Sequence, residues 1–343
     1  MTVHAFTSFS FSYLNRARVL ASSLRRQHPD WVIWAVLTDH PPQGFEYSTE
    51  GEDFDRLVTA DDLYGETTDP WLFRHDIVEA CTAVKGQALK HIMDQPGVEK
   101  VIYFDPDIAV FSTMQPVVEL LDEWSIVLTP HQTTPDTEEI AVRDNEITSL
   151  HYGTYNLGFL AVRNDQEARA FADWWTERLN TWCYDRLDIG VFVDQKWCNL
   201  IPCYFDNVKV LRDPGYNVAS WNLSKRTMSV SSEGGLLING VPLRFYHFTK
   251  LGPVGNTMTE RYAQGNSEIY ELWAWYEREV TRFTDPTIPA GWWYYGIFQD
   301  GTKIPKGARE LYRDREDLRR SFPDPFKDGY LRWLKKNTDL IRK

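Results

Sequence analysis

The chain has 343 residues, 43% of them hydrophobic and 14% aromatic, enough for a sizeable core in one large or two ordinary domains. Its net charge of −12 argues against non-specific attachment to nucleic acid or anionic membrane, both of which favour basic surfaces. An anionic ligand could still be held by a local metal and a few Lys or Arg.

Val3 to Phe11 reads as a buried first strand. Leu14 to Gln27 reads as a helix, with Leu14, Ala17, Ala21 and Leu24 on one face and Arg16, Arg18, Arg25 and Arg26 at polar positions. His28-Pro29 ends it. Trp31 to Leu37 is a second strand, followed by Thr38-Asp39, and the β-α-β order implies parallel pairing. Apolar residues spaced by three and four predict a helix over Phe73 to Met93, with a break near Thr82, stopped by Gln95-Pro-Gly97. Further short strands are expected at Ser125 to Leu128 and Tyr155 to Val162, and a helix at Gln166 to Leu179. Leu236 to Phe248 contains Asn239-Gly240 between apolar runs, a strong hairpin signal. Beyond Thr249 the character changes: Gly252-Pro253 and Gly255-Asn256 break the chain, Ser267 to Phe283 forms one helix, and an aromatic, proline-punctuated tail follows. The expected boundary lies near residue 250, with the tail packed on the preceding domain.

The segment from Val101 to Phe111 is the most informative. One apolar run delivers Asp105 and Asp107 at its carboxyl end, and a second, Ile108 to Phe111, follows at once. Residues i and i+2 of an extended chain point the same way, so both carboxylates can face one point. Ligands of open α/β sheets sit outside the carboxyl ends of the strands, and two hard oxygen donors there suit a divalent cation holding a diphosphate. Asp53-Phe54-Asp55 has the same spacing but lies in a polar stretch with no strand before it, and reads as a solvated loop. Taken singly, other polar residues have ordinary readings: His247 as a core or turn histidine, Asp194 and Gln195 as helix-start polars, Lys85 as a solvated helix lysine, and Thr7, Ser8 and Asp39 as strand-end polars.

Four segments together carry a resemblance. Asp105-Pro-Asp107 resembles the Asp-x-Asp motif of glycosyltransferases with the GT-A fold. Tyr155-Asn-Leu-Gly158 is similar to the Tyr-Asn-x-Gly strand that follows the metal site there. Val193-Asp-Gln-Lys-Trp-Cys-Asn199 and His247-Phe-Thr-Lys-Leu-Gly-Pro253 resemble later elements of the retaining, glycogenin-like family 8, in the same order over residues 1 to about 255. In this chain Lys250 precedes the glycine, where the family has glycine first.

The resemblance implies an α/β fold, a GT-A mixed, mostly parallel sheet flanked by helices. Residues 1–250 would form the nucleotide-sugar-binding catalytic domain and 251–343 a C-terminal extension. It implies that Asp105, Asp107 and His247 hold Mn2+ or Mg2+, the imidazole favouring manganese. Lys250 and Lys85 would meet the diphosphate or donor sugar, and Thr7, Ser8 and Asp39 the base and ribose. Asn156 would lie near the donor hydroxyls, and Gln195, with Asp194, on the face of the sugar where positive charge develops.

The expected activity is hexosyl transfer, with retention, from a nucleotide-diphosphate sugar, a UDP-hexose by resemblance, to a glycan or glycolipid in bacterial polysaccharide synthesis. A non-catalytic glycan-binding module and a sugar nucleotidyltransferase are the alternatives. The second would need a glycine-rich loop where Thr7 to Ser12 has no glycine.

A cytoplasmic location is expected. No apolar run reaches the roughly 18 residues that span a bilayer, residues 1–6 do not resemble a signal peptide, and Cys81, Cys183, Cys198 and Cys203 form no C-x-x-C pair and read as buried free thiols. The cluster Trp292-Trp-Tyr-Tyr295 suits an acceptor-side or peripheral membrane contact, or equally a cap over the core. The oligomeric state is not legible.

Overall fold

The computed structural model describes residues 2–341. β1 (Thr2–Phe9), α1 (Leu14–Gln27) and β2 (Val32–Leu37) form the opening β-α-β unit, with β1 and β2 parallel from His4 opposite Val32 to Phe9 opposite Leu37. β3 (Arg56–Thr59) continues the sheet beyond β2. α2 (Ile77–Met93) leads into β4 (Val98–Phe104), which pairs parallel with β1 on its other side. After β5 (Ile108–Val110) and β6 (Ile126–Pro130), β7 (Tyr155–Arg163) runs antiparallel between β4 and β6. α3 (Gln166–Trp182) and β8 (Val208–Val210) complete a mixed, mostly parallel seven-stranded sheet in the order β8-β6-β7-β4-β1-β2-β3.

Alternation along the strands splits the core into two layers. Phe6, Trp34 and Tyr103 face α2 and α3, while Ala5, Phe9, Ile33 and Ile102 face α1. A separate two-stranded ribbon sets up the site: β9 (Phe245–His247) lies antiparallel to β5, with His247 opposite Ile108.

Three boundaries differ from expectation for local reasons. The helix expected from Phe73 starts at Ile77, because Asp76 caps it: its carboxylate accepts from Val78 N and Glu79 N, and Glu79 reaches back to Asp76 N. The helix then runs unbroken through Thr82, whose hydroxyl donates to the Val78 and Glu79 carbonyls. The hairpin turn at Asn239 (φ 49°) and Gly240 (φ 84°) forms, but its strands are only Leu236–Ile238 and Val241–Pro242. Leu243 N still donates to the Leu236 carbonyl at 2.9 Å, but Arg244 N turns to the Gly215 carbonyl at 2.8 Å, and the chain leaves to join β5. All four cysteines are free, and Cys203 is exposed rather than buried.

Residues after 250 add α4 (Pro253–Ala263), α5 (Ser267–Arg282), α6 (Lys306–Asp314), α7 (Glu316–Ser321) and α8 (Asp328–Lys336). α5 docks through Tyr276, stacked on Phe248 at 3.8 Å. The aromatic cluster packs on the end of β2: Trp292 Nε1 donates to the His40 carbonyl, Tyr294 N donates to Asp39 Oδ1, and the Tyr295 hydroxyl meets His40 Nε2, each at 2.8 Å. Tyr295 is buried, Trp292 and Trp293 are half-buried, and Tyr294 alone is exposed. Among the described residues, no helix is long and apolar enough to cross a membrane.

Asp39, 6% exposed, is thus a clamp whose carboxylate accepts from Phe11 N, His40 N and Tyr294 N. Asp39→Ala leaves three backbone donors without that acceptor, and is expected to cost about 3 kcal/mol. Chemical denaturation and limited proteolysis of the 283–300 segment check this; a parental midpoint and cleavage rate would exclude the clamp.

Candidate functional site

β4 ends in a turn that aims two carboxylates at one histidine. Asp105 N donates to the Gly158 carbonyl of β7 at 2.8 Å, and Ile108 N closes back on the Asp105 carbonyl at 3.1 Å. Phe248 N donates to the Asp107 carbonyl at 2.8 Å, which lays β9 beside the turn. His247 Nε2 then lies 2.9 Å from Asp107 Oδ1 and 3.8 Å from Asp105 Oδ2. One ligand atom from each of the three residues falls within 4.8 Å of the others. Asp55, of the other Asp-x-Asp, is spent on Ile33 N (2.7 Å) and Arg25.

The histidine is oriented from behind. Its Nδ1 meets Asn156 Oδ1 at 3.2 Å, while Asn156 Nδ2 lies 3.2 Å from His131 Nε2 and 3.4 Å from Gln195 Oε1. An amide oxygen accepts only, so Nδ1 carries the proton and Nε2 faces the carboxylates. Two carboxylate oxygens and an imidazole nitrogen so arranged fit a divalent first-row cation, and the nitrogen favours Mn2+ over Mg2+.

Gly158 makes room for this arrangement. A Cβ there would lie 2.5 Å from His247 Cε1 and 2.8 Å from Asn156 Oδ1. Gly158→Ala is therefore expected to push His247 off the carboxylates and weaken Mn2+ binding at least about tenfold. Calorimetric titration of Mn2+ into both proteins checks this, and equal affinities would count against the His247 assignment.

Lys85 is not solvated. It is 2% exposed, and its Nζ reaches Asp194 Oδ2 at 2.9 Å, Asp105 Oδ1 at 3.0 Å and the Leu157 carbonyl at 3.2 Å. Its N–H groups donate to Asp105 and to the Leu157 carbonyl, and the Asp194 carboxylate pairs with its charge. Tyr103, which sequence reasoning passed over, donates its hydroxyl to Asp105 Oδ1 at 2.6 Å and lies 3.2 Å from Ser8 Oγ. Its signal was present in its i, i+2 relation to Asp105. Lys85 and Tyr103 together engage Oδ1 of Asp105, leaving Oδ2 toward His247.

Charge and burial compete throughout. Burial alone would lower the Lys85 and His247 pKa values, but Asp105 and Asp194 hold Lys85 well above its ordinary value, and Asp107 and Asp105 raise His247. Burial would raise Asp107, yet His247 keeps that carboxyl below the usual range. Burial drives His131 down to about 4, so it is neutral at pH 7.

Gln195 lies at the edge of this network. Its Oε1 accepts from Leu157 N at 3.3 Å and its Nε2 donates to the Tyr152 carbonyl at 3.2 Å. Ser8 joins through Tyr103, but its neighbour Thr7 points to the opposite face of β1, its hydroxyl buried without a partner. Asp39 is occupied by the tail. Lys250 is exposed at φ 55°, and its ammonium has no partner among the described residues.

No protein-family model matches the chain. Two uncharacterised proteins of Bacillus subtilis (strain 168) are similar in sequence. YfnF is 28% identical over 176 residues, 51% of this chain and 57% of YfnF, so the match spans little more than half of that relative. YfnD is 24% identical over 255 residues, 72% of this chain and 78% of YfnD. Similar solved structures include the galactosyltransferase LgtC with donor and acceptor sugar analogues (17% identity, TM-score 0.46, covering 85% of this chain and 99% of that one). They also include the glycosyltransferase GlyE of Streptococcus pneumoniae TIGR4 (15%, 0.45, 87% and 66%) and mouse xyloside xylosyltransferase 1 (14%, 0.41, 74% and 99%).

Proposed function

We propose that the chain is a metal-dependent glycosyltransferase that moves a hexose from a UDP-sugar to a hydroxyl of a glycan or glycolipid, with retention, in bacterial polysaccharide synthesis. On this reading residues 1–250 form the catalytic unit and 251–343 its extension, working in the cytoplasm with a peripheral contact at the inner membrane face. The observation that carries it is the convergence of Asp105, Asp107 and His247 at the carboxyl end of a central strand, with Asn156 setting the imidazole.

A divalent cation held by those three side chains supplies positive charge opposite the diphosphate. In the reaction, the bond from the anomeric carbon to the β-phosphate oxygen breaks and its electron pair stays on the phosphate. The acceptor oxygen bonds to the anomeric carbon on the same face, and its proton passes to the departing phosphate. The chain's own residues orient and shield. Lys85 and Tyr103 fix Asp105, and the Gln195 side chain, 9% exposed in residue terms, borders the face where positive charge grows.

Release of UDP from a panel of UDP-hexoses tests this. Release is expected with Mn2+ and at least about a hundredfold less with chelator. Binding of the sugar nucleotide without turnover, under any acceptor, would point to the non-catalytic module. Turnover indifferent to chelator would remove the metal assignment.

A further inference from the structure

Arg16 stands in the first turn of α1, just after the strand whose carboxyl end borders the acidic cluster. Its guanidinium lies 4.0 Å from the centre of the Tyr13 ring, which holds it in place. Nη1 is buried without a hydrogen-bond partner. Two other arginines of the same helix are spent on carboxylates, Arg18 on Glu52 at 2.6 Å and Arg25 on Asp55 at 2.5 Å. Arg16 makes no ion pair among the described residues. α1 runs alongside β5, since Gln27 Nε2 donates to the Phe111 carbonyl at 3.4 Å and Val110 N donates to Ser23 Oγ at 3.0 Å, so going back along both segments leads from β5 to Asp107 and from Ser23 to Arg16.

A half-buried guanidinium with an unspent donor is costly beside a hydrophobic core unless an anion completes it. Here it lies in the field of a cation-binding cluster, so the fitting anion is one that a divalent cation also binds. The helix start adds its own preference for negative charge. The side chains expected to meet phosphate do not compete for the role, since Lys85 is buried with its charge already paired to Asp105 and Asp194, and Lys250 stands exposed in its turn.

We propose that Arg16, braced by Tyr13, is a binding residue for the diphosphate of the donor nucleotide. The assignment rests on the nucleotide-sugar reading above and adds to it a phosphate contact from the first helix.

The test is calorimetric binding of UDP and of uridine, each with Mn2+, to the full chain and to Arg16→Gln and Arg16→Lys. Thermal unfolding and Mn2+ affinity serve as controls for the fold and the metal site. UDP binding is expected to weaken at least tenfold in Arg16→Gln and by less in Arg16→Lys, which keeps the charge but loses the fork. Uridine binding should not change, because it lacks phosphate. If the parent binds UDP and Arg16→Gln binds it equally well, the Arg16 assignment is wrong while the nucleotide-sugar reading stands. An equal loss for uridine would make Arg16 a structural residue only. If the parent binds no UDP at all with Mn2+, the UDP-donor reading fails and takes this assignment with it.

Discussion

Asp107→Asn should lower sugar transfer by on the order of a hundredfold or more while leaving the fold in place. The amide keeps the shape of the side chain but removes a negative ligand, and it leaves His247 Nε2, 2.9 Å away, facing a neutral group. Apart from His247, which can lose its proton when the carboxylate is neutralised, Asp107 is held through its backbone carbonyl, which Phe248 N still binds in the variant. A small change in unfolding midpoint is therefore expected. Asp105→Asn should be as inactive but less stable. Asp105 Oδ1 answers the buried Lys85 at 3.0 Å and the Tyr103 hydroxyl at 2.6 Å, so its neutralisation leaves Lys85 with Asp194 as the one charged partner. Weakening a buried pair in this way costs a few kcal/mol. Paired measurements of turnover and denaturation midpoint separate the two variants. Parental turnover in Asp107→Asn, resistant to chelator, would sink the metal site.

That difference between neighbouring aspartates also marks what the sequence could and could not disclose. The apolar run before Asp105 and the apolar run after Asp107 placed both carboxylates at a strand end, because strand alternation is a local property. The helix over Leu14–Gln27 was legible for the same reason, through its periodic apolar face. The burial of Lys85 was partly legible: Ala88 and Leu89 lie three and four residues further on and belong to a buried face. What escaped was pairing across long separations. His247 finds Asn156 across 91 positions, and Asp39 finds the backbone of Tyr294 across 255. No local pattern announces that a tail N–H will occupy a carboxylate at the end of the second strand. Asp39 therefore read as a strand-end polar or a ligand contact, and its hold on the tail became visible only in the folded chain. Arg16 read as one more polar helix position, because its lack of a counter-charge is visible only once its neighbours are assembled.

Gln195→Ala should reduce kcat by about a hundredfold and leave donor KM within a few-fold, provided transfer proceeds with retention. An inverting enzyme needs a general base on the face opposite the leaving group. In retention of the kind proposed here, the departing phosphate takes the acceptor proton on the same face, and the protein's task is to stabilise a developing positive charge. A neutral amide oxygen suits that task, because it offers a partial negative charge without the desolvation cost of a carboxylate. Gln195 Oε1 is held by Leu157 N at 3.3 Å and Asn156 Nδ2 at 3.4 Å, and Nε2 by the Tyr152 carbonyl at 3.2 Å. The amide is therefore fixed before substrate arrives, and its interaction with the sugar strengthens only as charge grows, so its loss appears in kcat rather than in KM. Alanine also strands the Leu157 N–H, and Gln195→Glu serves as the control: it retains an acceptor for Leu157 N and so separates loss of support from loss of the amide. Proton NMR of the product from an α-linked donor decides the stereochemistry. A β-linked product would establish inversion and remove the role assigned to Gln195, while leaving the metal cluster and the Lys85 network as they stand.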